Sequence, residues 1–410
     1  MNTFIWIIQD SIIRSDLLEF QQKQDIEFHL YLSKPSKKFL TATQEAYFKT
    51  VHVAEDFEVD TVEQYIRSLN LESKNLHIVT NDEASELLCV DLQSRFYTPR
   101  FSRDTVETFT NKLIMKEKLR DTEVRVPRFS FFDKAQYAEL GKAYCHDLAE
   151  KIGFPMIAKP IDKYASMDVK RINNIYELLA WSMWACGPTD EQNYELEEFI
   201  EGELFHCDSI FRDGEMIWSN VCENLNPCMD YMQGKAIGAG NIPNSSQASQ
   251  DILKFNHQAL AHLNPPDGVI HLECFRKNDG ELVFLEVAAR PPGGDVVGIY
   301  QYAFGFDIEL IHLMLRSGVG VEIKQLIPNR YGAWISFPKE KGHIEEIRVP
   351  ELACKTKMEI NVEKGMNCEV EATNIVNGEA AVFWLYTEDY TNLEKDYALL
   401  KNHKLCEFNT

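Results

Sequence analysis

The run His271-Leu-Glu273-Cys-Phe-Arg-Lys-Asn278-Asp279-Gly280-Glu281-Leu-Val-Phe-Leu-Glu286-Val-Ala-Ala-Arg290-Pro-Pro-Gly293-Gly294 decides how this chain is read. Asn278-Asp279-Gly280 is a turn signal between two β-prone segments, so the run predicts a hairpin. With Asp279-Gly280 as a two-residue loop, Asn278 pairs with Glu281, and counting outward sets Glu273 opposite Glu286. A four-residue loop moves the pairing but leaves both on one face, because side chains alternate along a strand. The opposite face then holds Ile270, Leu272, Cys274, Val283, Leu285 and Val287, a core face. Two carboxylates side by side on paired strands repel. A cation between them removes that cost, and hard oxygen donors suit Mg²⁺; the competing reading is a solvated strand face with incidental charges. Arg290 follows the second carboxylate, and then a Gly pair frees the backbone for close approach. Beside a metal–phosphate site a guanidinium stabilises charge on a transferring phosphoryl group. Taken alone, Arg290 would be an ordinary surface residue ahead of a Pro/Gly turn.

The chain around this run has 410 residues, enough for two to four packed units. Hydrophobic residues make up 45% and charged residues 26%, a globular balance. A net charge of −22 repels phosphate backbones, which disfavours nucleic acid as a partner. No apolar run is long enough to cross a bilayer, so no membrane role is expected. Met1–Ile8 lacks a basic flank and a small-residue cleavage site, and reads as a strand, not a signal peptide. The ten cysteines contain no C-x-x-C pair and no zinc spacing, which fits reduced thiols in a cytoplasm.

Along the first hundred residues, apolar runs at Thr3–Ile8, Glu27–Leu32 and Leu76–Thr80 alternate with helical patterns at Val62–Leu69 and Glu83–Leu92. Such alternation predicts a small parallel sheet covered on both faces. A helix over Arg103–Arg120 with Asp104 as its N-cap comes next. Strands are expected at Val126–Phe132, Met156–Lys159, Tyr194–Ile200, Leu204–Phe211 and Glu215–Ser219, with one helix around Ala135–Ile152. The polar stretch Gly234–Ser249 reads as a separating loop before the helix Ser249–Leu263, and a further helix lies at Ile308–Arg316. From about Arg330 a small α+β module is expected, with strands near Gly332–Phe337 and Ala380–Tyr386, a last helix at Asn392–Lys401 and no catalytic-looking cluster.

The hairpin and the Glu286-Val-Ala-Ala-Arg290-Pro-Pro-Gly-Gly run together resemble the metal-binding core of the ATP-grasp superfamily. The likeness is nearest to carboxylate–amine ligases that join amino acids, such as carnosine-synthase-like and bacterial L-amino-acid ligases, and it extends over roughly residues 105–320 by motif order. It implies an order of nucleotide contacts, and residues of the right type occur in that order. Lys112, after Asn111, would be the first phosphate-contacting lysine, a reading level with that of an exposed structural lysine. Lys159, at the end of the apolar strand Pro155–Ala158, would meet the α- and β-phosphates as a point charge fixed in place. In Glu197-Glu198-Phe199-Ile200-Glu201-Gly202-Glu203 the resemblance implies a hinge: backbone near Glu198–Ile200 on the adenine edge, Ile200 on the ring, Glu203 on the ribose. The same residues could form a plain acidic edge strand. Two departures stand out. Pro160–Val169, where such enzymes carry a Gly-rich phosphate loop, has no glycine, leaving Ser166 and Lys163 to serve. Ala288 occupies the place of an Asn that commonly completes the metal coordination.

The fold class implied is α/β and α+β, an ATP-grasp architecture. It has an N-terminal parallel α/β domain (1–105), a small nucleotide-clamping subdomain (106–200), a large subdomain with the metal hairpin (201–325) and a C-terminal lid-like module (326–410). The activity implied is ATP- and Mg²⁺-dependent ligation, with Mn²⁺ a substitute, of a small-molecule carboxylate to an amine through an acyl phosphate. Glu273 and Glu286 would hold the metal and Arg290 would be catalytic. Alternatives are a carboxylase or acid–thiol ligase on the same scaffold, or a nucleotide-binding subunit without turnover, which the two departures favour. His271 shares the carboxylate face, but a lone strand His is more often packed. Lys235 reads equally as a phosphate contact or a solvated loop lysine, and His206 as structural. A homodimer is the commonest assembly.

Overall fold

The computed structural model describes residues 2–17, 25–71, 75–164, 166–323, 329–369 and 378–409. Met1 and Ala165, which fall within the expected first strand and the glycine-free loop, lie outside the described residues.

Strands β1 (Asn2–Ile8), β2 (Ile26–Ser33), β3 (Phe48–Ala54) and β4 (Leu76–Val79) form a parallel sheet in the order β3-β2-β1-β4. β1 and β2 are apolar on both sides because both faces are covered. One face carries Ile5, Ile7 and Tyr31 against Val62, Ile66, Cys89 and Leu92 from two helices, Val59–Ser68 and Glu86–Phe96. The other carries Phe4, Trp6, Phe28 and Leu30 against Leu310, Leu313 and Met314 of the helix Ile308–Ser317. A distant segment therefore supplies the second cover, and residues from its first turn bind the loop after β1. Among the four strands β3 escapes the sequence reading, since much of this edge strand is exposed and gives no apolar run.

Strands β5 (Phe129–Phe131), β6 (Met156–Pro160), β7 (Lys170–Ile172) and β8 (Tyr194–Glu198) form an antiparallel sheet in the order β5-β8-β6-β7. Phe132, Leu148, Ile152, Met156, Leu178, Trp181 and Leu196 make its core. The single helix expected over Ala135–Ile152 is two, Lys134–Leu140 and Lys142–Ile152, because Gly141 takes φ +56 between them. The helix expected over Arg103–Arg120 also divides, into Arg103–Glu107 and Lys112–Leu119. Ser102, not Asp104, caps the first, accepting from Thr105 N; Asn111 caps the second, accepting from Leu113 N and Ile114 N.

The remaining strands are β9 (Glu203–Arg212), β10 (Glu215–Asn224), β11 (Ile237–Asn241), β12 (Gly268–Arg276), β13 (Leu282–Ala288), β14 (Tyr331–Pro338), β15 (Gly342–Ile347), β16 (Lys355–Ile360), β17 (Asn367–Cys368), β18 (Glu379–Thr387) and β19 (Cys406–Asn409). Eight of them make one sheet, β13-β12-β9-β10-β11-β14-β18-β16, so the C-terminal strands continue the sheet that carries the hairpin. β15, β17 and β19 form a separate three-stranded sheet.

The join is β11, which lies inside the stretch expected to be a polar loop. Its five residues, Ile-Gly-Ala-Gly-Asn, are all buried. It pairs β10 on one side and β14 on the other. Its glycines suit strand neighbours that press close: a Cβ on Gly238 would overlap the Trp334 carbonyl. A helix over Val296–Phe304, not expected from the sequence, follows the Gly293-Gly294 pair. Among the described residues no helix is long and apolar enough to cross a membrane.

The seam gives a stability prediction. Replacing Gly238 with Val forces β11 off Trp334, and unfolding in urea is expected to show a loss of about 1–3 kcal/mol. A variant as stable as the parent would mean that β11 does not pack as described.

Candidate active site

Glu273 and Glu286 stand directly opposite each other on β12 and β13. The register arises differently from either expected loop. Lys277 and Glu281 close the turn, with Lys277 N donating to Glu281 O at 2.9 Å and Gly280, at φ +87, donating to Lys277 O at 2.8 Å. Three residues therefore lie in the loop, which pairs Cys274 with Phe284 and by itself would set Glu273 against Leu285. A bulge between Cys274 and Glu273 absorbs one residue and restores the Glu273–Glu286 pair. It also changes the core face. Phe284 packs with Ile270, Leu272, Cys274 and Val287, while Val283 and Leu285, expected on that face, do not join this cluster.

Cations converge on the pair from the helix Lys112–Leu119 and from the end of β6. Lys112 opens its helix with its N–H on Ile161 O at 2.8 Å, and its Nζ lies 3.4 Å from Glu286 while donating to the Lys163 carbonyl. Lys112 is thus buried, not the exposed structural lysine of the competing reading. Lys159, also buried, reaches Glu197 at 2.7 Å and Glu195 at 3.6 Å. Burial lowers its pKa, but Glu197, Glu195 and Glu286 outweigh that and raise it, so the ammonium stays charged.

Lys116 was not found by sequence reasoning. Fully buried one helical turn beyond Lys112, it pairs with Glu195 and, at 2.5 Å, with Glu197. Two lysines and two glutamates are thus packed together at the Lys159 end of β6. The alternation of β8 was the available signal, because Glu195 and Glu197 share one face of a strand that is otherwise buried. Glu197 is therefore an ion-pair partner through its side chain; burial would raise its pKa, and Lys116 and Lys159 bring it below the ordinary value.

In the segment expected to form the hinge, Glu198 N donates to Arg128 O at 2.8 Å and Phe199 N to Pro155 O at 3.2 Å. The Glu198 carboxylate is taken by Arg125 at 2.8 Å and by the Arg128 backbone N–H at 3.1 Å, and the Phe199 ring lies beneath the Arg171 guanidinium at 4.1 Å. Ile200 is buried. Glu203 is half-exposed, 3.6 Å from Arg276. In the glycine-free loop, Ser166 and Asp168 adopt φ +56 and +57, the left-handed region that glycines would otherwise supply. Ser166 is exposed, while Tyr164 ties its loop through its hydroxyl to Asp10 in the loop after β1.

Arg290 lies within electrostatic reach of Glu286 and Glu273, and part of its guanidinium is held by Glu83 at 2.9 Å. Gly294, at φ +62, lies so close to the Trp334 ring that a Cβ would overlap it, whereas Gly293 has no such neighbour among the described residues. His271 is packed, as the commoner reading has it, and linked to the acidic pair: Asp208 lies 2.7 Å from its Nδ1 and Glu273 3.2 Å from its Nε2. Burial alone would lower its pKa, but Asp208 and Glu273 push it up to about 9, so it is an imidazolium at neutral pH. Tyr300 donates to Asp208 at 2.5 Å. His206 lies 3.4 Å from Asp208, and its buried Nε2 has no hydrogen-bond partner among the described residues. His206, Asp208 and His271 bring potential ligand atoms within 4.8 Å of one another. Both nitrogens of His271 are already engaged, so this group reads as support for Glu273. His271 also pairs across the strands with Ala288, where the Asn of the resembling enzymes is missing. Lys235 is exposed and held by Asp230 at 2.8 Å.

The donor set fits a hard divalent cation: two carboxylates face each other in register, flanked by cations that suit phosphate oxygens. The Glu286 carboxyl is held at about 2; burial would raise it, but Lys112, Lys159 and Arg290 pull it down further.

Residues 152–298 match the ATP-grasp domain. An L-arginine-specific L-amino acid ligase of Bacillus subtilis is 26% identical over 309 residues, 72% of this chain and 72% of that protein. Among solved structures, an L-amino acid ligase from Bacillus licheniformis superposes with a TM-score of 0.71 at 16% identity, covering 100% of this chain and 99% of that one. N5-carboxyaminoimidazole ribonucleotide synthetase from Thermotoga maritima gives 0.61 at 18% identity over 99% of both chains. These structures share the fold, including its parallel N-terminal sheet and large antiparallel sheet.

A folded-state pKa below the unfolded value means that ionised Glu286 contributes stability above the unfolded pKa and loses it as pH falls through the folded one. In a comparison with Glu286→Gln, the parent's relative stability is expected to be constant above about pH 4.5 and to decline toward about pH 2. A flat difference over that window would remove the lysine cluster's hold on Glu286. Separately, Lys116→Met leaves Glu195 and Glu197 short of a buried partner and should cost about 3–5 kcal/mol by thermal unfolding; an unchanged Tm would contradict the buried network.

Proposed function

Starting from the ATP-grasp domain, we propose that the chain is an ATP-dependent carboxylate–amine ligase that forms a C–N bond, with an amino acid or amino-acid-like compound among its substrates. The single observation carrying this is the in-register Glu273–Glu286 pair with Lys112, Lys159 and Arg290 gathered around it. That is an acidic metal clasp ringed by phosphate-binding cations, and no serine or cysteine nucleophile is needed. The relatives whose names specify L-amino acid ligation support the substrate class.

In this reading a substrate carboxylate oxygen attacks the γ-phosphorus of ATP, the bond to the β-phosphate oxygen breaks, and ADP leaves with that electron pair. The acyl phosphate so formed is attacked at carbon by an amine nitrogen. Phosphate departs, the nitrogen loses a proton, and an amide remains. Lys112 and Lys159 neutralise the phosphates from fixed, buried positions, so little reorganisation is required as charge shifts. Arg290 faces the transferring group with the part of its guanidinium that Glu83 leaves open. Mg²⁺ held by Glu273 and Glu286 would supply charge neutralisation at the phosphate oxygens. The hinge backbone around Ile200 receives adenine, and Glu203 the ribose. Ser166 covers the phosphates from a loop whose positive-φ residues make it stiffer than a Gly-rich one. The ten cysteines are all free thiols, which suits action in a reducing cytoplasm.

Incubation with ATP, Mg²⁺ and mixed amino acids should yield ADP, phosphate and an amide whose mass equals two substrates less one water. ADP released only with bicarbonate would replace this reading with a carboxylase. Glu273→Gln and Glu286→Gln are each expected to lower kcat by about 10²–10³-fold, the scale of losing a group that stabilises transferring charge; turnover within a few-fold of the parent would overturn the assignment.

A further inference from the structure

The loop after β6 is fastened to the N-terminal domain by one side chain, at a place where its own backbone is under strain. Ser166 and Asp168 hold φ +56 and +57 without being glycines, and such residues stay in the left-handed region only where their surroundings fix them. Within the loop, Met167 N donates to Tyr164 O at 3.1 Å and Val169 N to Ser166 O at 3.4 Å, while Ser166, Met167 and Asp168 are exposed. Two ties from other parts of the chain hold the consecutive residues that precede this strained stretch. The Lys163 carbonyl accepts from the Lys112 ammonium, and the Tyr164 hydroxyl donates to the Asp10 carboxylate.

Asp10 is a fixed post. It follows β1, and its backbone N–H donates to Asp82 Oδ2 at 2.9 Å, beside that of Gln9 at 2.6 Å. Asp82 follows β4, is 3% exposed, and also accepts from Ala84 N at 3.2 Å and Ser85 Oγ at 3.0 Å. One buried carboxylate thus joins the ends of two neighbouring parallel strands and sets the Asp10 backbone. The Asp10 side chain stays at the surface, where Tyr164 reaches it. A continuous line of contacts therefore runs from the N-terminal sheet through Asp10, Tyr164 and the Lys163 carbonyl to Lys112, whose Nζ lies 3.4 Å from Glu286.

We infer that Tyr164 is a positioning residue for the nucleotide: its bond to Asp10 fixes the strained loop, and the adjacent Lys163 carbonyl then orients the Lys112 ammonium. The side-chain tether compensates for a backbone that has no glycine to relax it. The inference rests on the ATP site of the ligase reading and is independent of which acid and amine are joined. Without the hydroxyl, nucleotide has to order the loop as it binds, so affinity falls before chemistry does.

Calorimetry of the full chain with Mg²⁺ and a non-hydrolysable ATP analogue tests it, together with hydrogen exchange over residues 160–169. Tyr164→Phe removes the donor and Asp10→Ala the acceptor. Each should weaken the analogue by about tenfold, the scale of a hydrogen bond to a charged group, and speed exchange in that segment. The double variant should be no weaker than either single one, because both remove the same bond. Asp10→Asn keeps an acceptor and should recover most of the affinity. Tyr176→Phe, on the exposed side of the helix Ile175–Ala185, should match the parent. In turnover, KM for ATP should rise by the same factor while kcat at saturating ATP stays within about twofold. Unchanged Tm verifies folding, and Tyr164→Phe carries the test if Asp10→Ala is unfolded. Parent-like affinity and exchange in the folded variants, or losses that add in the double variant, overturn the inference and leave the ligase reading standing. No analogue binding by the parent overturns both.

Discussion

Two carboxylates placed opposite each other across β12 and β13 repel, and the surrounding structure is arranged to tolerate that repulsion. Lys112 stands 3.4 Å from Glu286, while Lys159 and Arg290 add to the field that keeps Glu286 ionised. Lys112 and Lys159 cannot themselves be left desolvated and unpaired. Glu195 and Glu197 on β8 answer Lys159, and Lys116 completes the set so that no member is buried alone. On the other side Asp208, with Tyr300 behind it, holds His271 against Glu273. An acidic clasp with this much buried support is costly to assemble, which argues that its geometry serves chemistry and not solubility.

The hairpin was legible from its turn signal, and the Glu273–Glu286 opposition followed from side-chain alternation only for loops of even length. The actual loop has three residues, and the bulge before Glu273 corrects the parity that such a loop would otherwise break. That compensation is invisible in sequence, as is its effect on the core, where Phe284 replaces the expected Val283 and Leu285. Lys159 was legible from the apolar strand that ends in it. Lys116 was not, because a mid-helix lysine among Lys and Arg neighbours looks solvated until its partners are known.

Long-range pairing accounts for most of what the sequence concealed. β11 reads as a loop because its Gly and Asn residues are poor strand formers, yet it is central, and Gly238 is there to admit the Trp334 backbone. β11 joins the C-terminal strands to the sheet bearing Glu273, and that continuity brings Trp384 to Asp295. Likewise, the parallel N-terminal sheet was apparent, but not that Leu310, Leu313 and Met314 would cover one of its faces. The same packing presents Glu83 and Asp10 to the candidate site. The glycine-free loop, a departure from the resembling enzymes, is accommodated by Ser166 and Asp168 in the left-handed region and anchored by Tyr164.

Anomalous diffraction from crystals soaked with Mn²⁺ and a non-hydrolysable ATP analogue bears most directly on the central claim. The account predicts Mn²⁺ density bridged by Glu273 and Glu286, with phosphate oxygens completing the shell and Lys159 beside them. Mn²⁺ bound instead by His206, Asp208 and His271, or nucleotide bound with Glu273 and Glu286 free of metal, would contradict it.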